Sequence, residues 1–378
     1  MPKRVVQLCS AHPSTDARVF QRTAVPLREA GYEVHLIATD PAAQAYDHHG
    51  VTIHPIPHID SSMARIKRRD MVANMAMALN PDVIHLHEPE LLGATLARAG
   101  KTPVIYDVHE LFFEVLRDRD WVPKPLRPVA STLWRLREQM LLRKCAGLIV
   151  VTDQVAEPYQ KLRPDLVILP NYADLRGPLS LPKVERSGRD CIFNGTLDLN
   201  RGILQLIDAF GILRDRGVEA RLLIAGKADQ ATAELMRARV CDLGLEEVVT
   251  LQGPYHPAEG QAMANAASIG VVPHLPSAGN NNAAWPVKLF EYLALGLPLV
   301  VSDLPPHHHL LDGHDVALFC DPRQHESIAD QIQHLIEHPD EARAMGDRSR
   351  ALAQSHYDWN LVRPRLLDIY NRILTRNG

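Results

Sequence analysis

The sequence predicts an α/β protein made of two Rossmann-like domains, each built on a parallel sheet. Short apolar runs alternate with helical patterns from end to end, which is typical of parallel strands with helices on both faces. The length of 378 residues exceeds what one ordinary core accommodates. Residues 173–188 are rich in Pro, Gly and charge and lack an apolar period, so they are predicted to be a linker. A single continuous large sheet is the alternative.

The first domain is expected over residues 1–172. Its predicted strands are Lys3–Leu8, Glu33–Ala38, Val83–His87, Pro103–Asp107, Leu148–Thr152 and Leu166–Leu169. A helix is predicted over Asp16–Ala30 and ends at Gly31, with Asp16 suited to its N-cap. Parallel sheets of this kind bind ligands beyond the carboxyl ends of their strands.

The second domain is expected over residues 189–359, where the β/α alternation starts again. Its predicted strands are Cys191–Phe193, Arg221–Ala225, Val248–Leu251, Ile269–Pro273, Leu297–Val301 and Val316–Phe319. Helices are predicted over Ile203–Arg216 and Thr232–Leu243. The remaining C-terminal residues have the period of amphipathic helices.

The composition narrows the function classes. A hydrophobic content of 46%, with 23% charged residues, is ordinary for a globular protein, and a net charge of −4 gives no reason to expect a nucleic-acid partner. Five scattered cysteines without a C-x-x-C pair indicate free thiols in a reducing compartment. No apolar run approaches the roughly 20 residues that span a bilayer. We therefore expect a cytoplasmic protein.

The richest motif runs from a polar loop, Asn280–Asn282, into a short predicted helix. Pro286 suits its first position, Gly296 ends it, and Lys288 and Glu291 share one face. A helix N-terminus that carries a lysine is an anion site. A carboxylate one turn further on can accept hydrogen bonds from a pair of sugar hydroxyls. Phosphate beside ribose indicates a nucleotide.

Three predicted strand ends carry glycine or basic residues and accompany this motif. They are Phe193–Gly202, Leu223–Lys227 and Leu251–Tyr255. Together these segments resemble the donor-binding region of GT4-type retaining glycosyltransferases, which use nucleotide sugars. The resemblance implies a GT-B fold, in which two Rossmann-like β/α/β domains face a central cleft and a C-terminal helix, here 360–378, crosses back to the first domain.

The resemblance also implies which residues bind the donor. Catalytic stabilisation of the diphosphate is expected from Arg201 and Lys288. Donor contacts are expected from Gly195, Thr196, Gly226, Gly253, Tyr255, Asn281, Asn282 and Glu291, the last through the ribose hydroxyls. The chain departs from the family where Thr196 replaces an arginine and Ala283 a glutamate that touches the donor sugar.

In the first domain, two groups of polar residues follow predicted strands. His109 lies in Tyr106-Asp-Val-His-Glu110, which resembles the family segment whose histidine faces the donor sugar, so we expect it to be catalytic. His12, Asp16, Arg18 and His87 are expected to line the acceptor side or the cleft. Asp16 and Arg18 have an alternative interpretation as a helix cap with a charge partner, and His87 as a structural histidine.

Residues 112–145 combine aromatic and basic side chains. Within 121–145, Lys124, Arg127, Arg135, Arg137, Arg143 and Lys144 oppose Glu138 alone, a balance of +6 − 1 = +5. Phe112, Phe113, Trp121 and Trp134 accompany them, and Arg65–Arg69 is a second basic cluster. This pattern predicts peripheral contact with the inner membrane face or with a polyprenyl-linked acceptor. The alternative is a solvated helix that packs Leu133, Leu136 and Met140 inward.

The function expected from the resemblance is retaining transfer of a sugar from a UDP- or GDP-linked donor to a glycan or lipid-linked hydroxyl, in cell-surface polysaccharide or glycoconjugate biosynthesis. No metal and no cofactor are expected, because protein cations would neutralise the leaving diphosphate. A sugar-nucleotide epimerase and a non-catalytic sugar-nucleotide binder are the alternatives. No strand leads into a G-x-G-x-x-G segment, so a dehydrogenase is not expected.

Overall fold

A computed structural model describes residues 2–59, 61–117, 122–182, 184–276 and 285–376. The described residues form two compact units, the first from 2–171 and 360–376, the second from 172–276 and 285–359. Each unit carries its own largely parallel sheet, so the predicted two-domain α/β architecture is confirmed.

The first unit holds an eight-stranded sheet in the order β3-β4-β2-β1-β5-β6-β7-β8. Its strands are β1 (Arg4–Pro13), β2 (Glu33–Thr39), β3 (Tyr46–His48), β4 (Val51–Ile56), β5 (Val83–Leu86), β6 (Val104–Val108), β7 (Gly147–Val150) and β8 (Val167–Ile168). Neighbouring strands are parallel except for the β3–β4 pair. The strand order reverses between β1 and β5, and their carboxyl ends are where such sheets bind ligands.

Helices surround this first sheet. They are a π-helical segment Ala17–Ala24 that continues as α1 (Val25–Glu29), then α2 (Ser62–Ala78), α3 (Pro89–Arg98), α4 (Phe112–Val115), a 3₁₀ turn Lys124–Leu126, α5 (Arg127–Leu142) and α6 (Asp153–Gln160). Asp16 caps the first of these, because its side chain accepts hydrogen bonds from the amides of Arg18 and Val19 at 2.8 and 2.9 Å. The predicted N-cap is therefore confirmed.

The second unit holds a six-stranded parallel sheet in the order β11-β10-β9-β12-β13-β14. Its strands are β9 (Asp190–Asn194), β10 (Arg221–Ala225), β11 (Val249–Gln252), β12 (Ile269–Val272), β13 (Leu299–Ser302) and β14 (Ala317–Cys320). Its helices are α7 (Arg176–Ser180), α8 (Ile203–Asp215), α9 (Gln230–Asp242), α10 (Pro257–Ala266), α11 (Val287–Leu295), α12 (Pro305–Leu311), α13 (His325–Glu337) and α14 (Pro339–His356), with a 3₁₀ turn at Leu199–Arg201. Here the strand order reverses between β9 and β12.

Both faces of the second sheet are covered, as a doubly wound fold requires. On one face, Phe193 and Val300 pack with Phe210 of α8. On the other, Val301 packs with Leu293 of α11. Each such side chain contributes about 1.5–3 kcal/mol when it is fully buried. Because the strands are buried on both faces, they are apolar throughout rather than alternating.

Two details differ from the sequence prediction. Ala173 and Leu175, in the segment 173–188 predicted to be a linker, are buried and join the core of the second unit next to α7. Pro286 is the N-cap of α11, one residue before the first helical position. Gly296 ends this helix in the left-handed conformation, with φ of 71°, as predicted.

The last helix, α15 (Trp359–Arg376), belongs to the first unit over residues 360–376. Tyr370 is fully buried in that unit, and its hydroxyl lies 2.8 Å from Nδ1 of His85 in β5. Arg363 also pairs with Glu29 of α1 at 2.8 Å. The C-terminal helix therefore completes the first unit.

Candidate functional site

In the second unit, three strand ends come close together where glycines leave room. A Cβ at Gly226 would lie 1.7 Å from the carbonyl oxygen of Gly195, and one at Gly202 would lie 1.8 Å from that of Pro273. All three glycines also have positive φ, at 115° for Gly195, 153° for Gly226 and 71° for Gly202. Only glycine satisfies these positions without strain. Bare backbone therefore lines this edge of the sheet, beside the exposed side chain of Thr196.

Lys288 points toward this backbone from the first turn of α11. Its Nζ lies 3.3 Å from the centroid of the Phe193 ring and 3.6 Å from the position of a Cβ on Gly195. The Nζ is buried and has no hydrogen-bond partner among the residues that the structure describes. Burial first, and then the charge of Arg201, hold the pKa of Lys288 well below its usual value, although Glu291 opposes this. A buried ammonium without an acceptor is costly.

The neighbourhood of Arg201 explains this coupling. Arg201 closes the 3₁₀ turn before α8 and lies 3.8 Å from the carboxylate of Asp198. It is half-buried, so its guanidinium is partly in contact with solvent. The two cations Lys288 and Arg201 therefore lie near one strand end. Arg201, and not the uncharged Thr196, is the second polar side chain that acts electrostatically with Lys288.

Glu291 and Tyr255 share a second part of this edge. Burial, followed by the charge of Glu291, raises the pKa of Tyr255 to about 12. The Tyr255 ring fits against Gly260, where a Cβ would lie 2.3 Å from the ring. Gly253, by contrast, is exposed, and a Cβ there would meet no atom within 4 Å. The structure thus gives Gly253 no steric reason to be glycine.

Two residues that the sequence reasoning missed also belong to this edge. His274 follows β12, is buried, and has an Nε2 without a hydrogen-bond partner in the described part of the chain. Burial, then the charges of Lys288 and Arg201, hold its pKa well below the usual value. Tyr292 donates to Oδ1 of Asn194 at 2.9 Å and accepts from the Asn194 amide at 3.1 Å.

The Tyr292 contact fixes α11 to the end of β9, so it positions Lys288. The sequence could have indicated His274 by its position directly after a predicted strand, just as it indicated His87 by its position at the end of one. The remaining predicted donor contacts, Asn281 and Asn282, lie outside the described residues, as does Ala283.

In the first unit, Arg18 and Asp107 form a buried ion pair. Nε and Nη2 of Arg18 donate to the two carboxylate oxygens at 2.8 and 2.7 Å, and Nη1 donates to the Leu169 carbonyl and to Asn171. The Arg18 side chain is only 5% exposed. The structure thus confirms Asp16 as a cap, while the charge partner of Arg18 is Asp107 rather than Asp16.

Three histidines surround Asp107. Its Oδ2 lies 3.7 Å from Nε2 of His85, 3.5 Å from Nδ1 of His87 and 3.6 Å from Nε2 of His109. Nδ1 of His87 also lies 3.2 Å from Nε2 of His109. The His87 ring is buried in protein, and this burial lowers its pKa to about 3. The ring is therefore neutral. His109, 18% exposed, is the partly accessible member of this group.

The C-terminal part of β1 places His12 beside His109, with their ring centroids 5.3 Å apart. Nδ1 of His12 lies 2.8 Å from Oε1 of Glu88. Asp16, Arg18, His12, His87 and His109 are therefore all found at the carboxyl edge of the first sheet.

Among the described residues, two groups could offer three metal-ligating atoms each. They are Cys9 with His12 and Glu88, and His85 with His87 and Asp107. In both groups the carboxylate is already neutralised, by His12 in one and by Arg18 in the other. Catalysis without a metal stays a prediction.

Helix α5 and its N-cap residue carry an exposed row that we call the apolar stripe. It consists of Leu126, Val129, Leu133, Leu136 and Met140, each 54–62% exposed. The alternative in which Leu133, Leu136 and Met140 pack inward is therefore wrong. The buried positions of α5 are instead Ser131, Glu138 and Leu142. Trp121 lies outside the described residues.

A cavity of about 280 Å³ opens between α2 and α5. Apolar residues including Ile66, Leu133 and Trp134 line it, and its charged lining residues are Arg65, Glu90 and Arg137. No helix in the described ranges is long and apolar enough to cross a membrane.

Comparison with known proteins agrees with this geometry. The family described as glycosyltransferase family 4 matches residues 17–176, and glycosyl transferases group 1 matches residues 188–338. A GDP-mannose:cellobiosyl-diphosphopolyprenol alpha-mannosyltransferase of Xanthomonas oryzae is 24% identical over 95% of this chain and 91% of its own length. A phosphatidyl-myo-inositol mannosyltransferase of Mycobacterium leprae is 26% identical over 78% of this chain and 74% of its own.

Solved structures show the fold. Sucrose-phosphate synthase from Thermosynechococcus elongatus superposes with a TM-score of 0.78 at 17% identity, over the full length of both chains. HepE from Anabaena in complex with UDP and glucose superposes with a TM-score of 0.73 at 12% identity, over 98% of this chain and all of that one. With one family match in each half and this fold, the chain belongs to the GT4-type glycosyltransferases of GT-B fold.

Proposed function

We propose that this protein is a retaining glycosyltransferase that moves a sugar, mannose as first candidate, from a nucleoside diphosphate to a lipid-linked glycan hydroxyl at a membrane surface. The observation that carries the proposal is the buried Lys288 Nζ, which has no hydrogen-bond acceptor among the described residues. Since an unpaired buried ammonium is costly, an anionic ligand is the natural partner. The bare backbone at Gly195, Gly202 and Gly226 lets a diphosphate come close.

The proposed chemistry relies on electrostatics. The bond between the anomeric carbon and the phosphate oxygen breaks, and the acceptor oxygen bonds to the same face of the sugar. The acceptor proton passes to an oxygen of the leaving diphosphate. Lys288 and Arg201 stabilise the charge that develops on that diphosphate. His109 hydrogen-bonds a substrate hydroxyl, and Glu291 accepts from the ribose.

Mannose is the first candidate because of the relatives' names. Several of them are mannosyltransferases, and two use GDP-mannose. The donor panel below includes several bases and sugars. The resemblance expects sugar contacts at residues 280–283, and there Ala283 stands in place of a glutamate.

The lipid-linked acceptor and the membrane contact are supported by the first unit. The apolar stripe is exposed next to the exposed cations Lys124, Arg135, Arg143 and Lys144. Apolar side chains enter the bilayer interface while basic ones bind anionic head groups. The cavity between α2 and α5 is apolar apart from Arg137 and the ion pair of Arg65 with Glu90, which is 3.0 Å long. It suits an isoprenoid chain whose diphosphate contacts Arg137.

A donor panel tests the proposal. The protein is incubated with UDP-, GDP- and TDP-sugars, with and without lipid extract, while free nucleoside diphosphate and sugar identity are followed. Release that depends on the acceptor supports the transferase. An isomerised donor would establish an epimerase instead, and binding without turnover a non-catalytic binder.

The stereochemistry is read from the same reaction. NMR of the product from an α-linked donor should show an α linkage, and a β linkage would refute retention. Arg201→Ala should abolish turnover with the circular dichroism spectrum unchanged. Wild-type activity in that variant would remove Arg201 from the diphosphate site.

A further inference from the structure

One buried carboxylate binds the end of β1, where the register with β2 is irregular between Leu8 and Pro13. Glu88, 5% exposed, accepts hydrogen bonds from the amides of Ser10 at 3.0 Å, Ala11 at 3.1 Å and His12 at 3.3 Å. These three amide donors are therefore already satisfied. They are not available to bind a phosphate or a sugar oxygen of a substrate.

The same carboxylate also contacts the side chain of His12. Oε1 of Glu88 lies 2.8 Å from Nδ1 of His12, so that nitrogen is the donor. The His12 side chain remains 35% exposed, and its Nε2 makes no hydrogen bond within the part of the chain that the structure describes. The ring thus has Nδ1 anchored on Glu88, while Nε2 has no hydrogen-bond partner among the described residues.

The surroundings of His12 fix its charge. Burial lowers the pKa of His12, but the hydrogen bond and charge of Glu88, with smaller contributions from Asp16 and Glu110, outweigh burial and raise it to about 9. The pKa of Glu88 is held at about 2, because His12 outweighs the effect of burial. The other titratable ring in contact is His109, at 5.3 Å between centroids.

We propose that Nε2–H of His12 binds a phosphate oxygen of a substrate, and that Glu88 holds the ring in place for this contact through Nδ1. The inference rests on the proposed function for the identity of the substrate. The phosphate belongs either to the nucleotide donor or to a phosphorylated lipid acceptor.

The charge state and the binding can be tested without turnover. In histidine-labelled protein, the NMR resonance assigned with His12→Gln should stay that of an imidazolium up to pH 8 and titrate near pH 9. Glu88→Gln should move its midpoint below pH 7, since burial alone lowers it. Inorganic pyrophosphate should shift this resonance, with the measurement repeated in Lys288→Met protein to remove the site in the second unit.

Kinetics then identify the source of the phosphate. His12→Gln should raise KM about 10- to 100-fold, as loss of a charge-assisted hydrogen bond does. If only the KM for the donor rises, the bound phosphate belongs to the donor diphosphate. If only the KM for the acceptor rises, the bound phosphate belongs to the acceptor. The wild-type KM should stay flat from pH 6 to 8 and rise above pH 9, and the variant should lack this rise.

A matched control is His314→Gln, an exposed histidine of the second unit that should leave every value unchanged. A His12 resonance that titrates near pH 6.5, or that pyrophosphate does not shift, would overturn the inference. If instead no donor turns over while the resonance behaves as described, the proposed function fails and the anion site stands.

Discussion

The apolar stripe on α5 gives the prediction with the most direct magnitude. Leu133 and Leu136 are 62% and 54% exposed. Full burial of a leucine is worth about 1.5–3 kcal/mol, so each of these, a little over half exposed, gains about 1 kcal/mol on entering a bilayer interface. Leu133→Glu combined with Leu136→Glu should therefore weaken partitioning by at least about 2 kcal/mol, or roughly 30-fold. Repulsion from anionic lipid adds to this.

The assay is flotation with vesicles of neutral lipid or of neutral lipid mixed with phosphatidylglycerol. Wild-type protein should bind the anionic vesicles more strongly, and added salt should weaken this binding because the basic residues contribute. Leu235→Glu is the matched control, since Leu235 is 48% exposed on α9 of the second unit. It should partition like the wild type.

Equal partitioning of the wild type and the double variant would refute the reasoning. So would a wild type that floats with neither vesicle. A loss of binding in the Leu235 control would show that added negative charge, rather than the stripe, determines the result.

Three further outcomes are expected. Gly202→Ala should destabilise the protein in urea by on the order of 3 kcal/mol more than Gly217→Ala, because both have positive φ but only the Cβ at 202 would strike the Pro273 carbonyl; equal losses would contradict the close approach. Burial raises the pKa of Glu138 to about 7, so the free energy of unfolding should fall as pH rises from 4.5 through 7, by up to roughly 3 kcal/mol. Glu138→Gln should remove this dependence, and an identical pH profile would exclude the buried carboxyl as its source. Since the pKa of Lys288 is lowered, binding of a nucleoside diphosphate should be accompanied by proton uptake as the pH approaches that pKa. Calorimetry in buffers of different ionisation enthalpy measures this uptake, and Lys288→Met should show none. Proton uptake that persists in the variant would assign the proton to another group.

The sequence was sufficient for features that local chemistry determines. Alternating apolar runs predicted parallel strands because such strands are buried on both faces. Asp16 and Gly296 marked a helix start and a helix end because their conformations and hydrogen bonds are short-range. Lys288 and Glu291 could be assigned to one edge for the same reason, since residues three apart share a helix face.

The remainder depends on contacts between distant residues. Glu88 satisfies amides of Ser10–His12, nearly eighty positions earlier, and Asp107 gathers Arg18 with His85 and His87, which come from two distant segments. No periodicity encodes such partners. These contacts also separate residues that looked alike in the sequence, because His87 is enclosed while His12 and His109 remain partly exposed.

The orientation of α5 shows another limit. A helical period predicts that Leu133, Leu136 and Met140 share a face, but it does not say whether that face meets the core. In the structure the buried face instead carries Glu138, whose carboxylate accepts a hydrogen bond from Tyr159 at 2.8 Å. A buried carboxyl with a tyrosine partner has no signature in an apolar pattern, so the inward alternative was reasonable and wrong.

In the proposed function, Lys288 and Arg201 bind the diphosphate of a nucleotide. Calorimetry should therefore compare GDP with GMP and UDP with UMP, on wild-type protein, Lys288→Met, and Lys161→Met as a control at an exposed lysine of the first unit. The diphosphate of one pair should bind the wild type and the control at least about 10-fold more tightly than its monophosphate, and this preference should fall by about 10- to 100-fold in Lys288→Met. An unchanged ratio in Lys288→Met would contradict this role of Lys288.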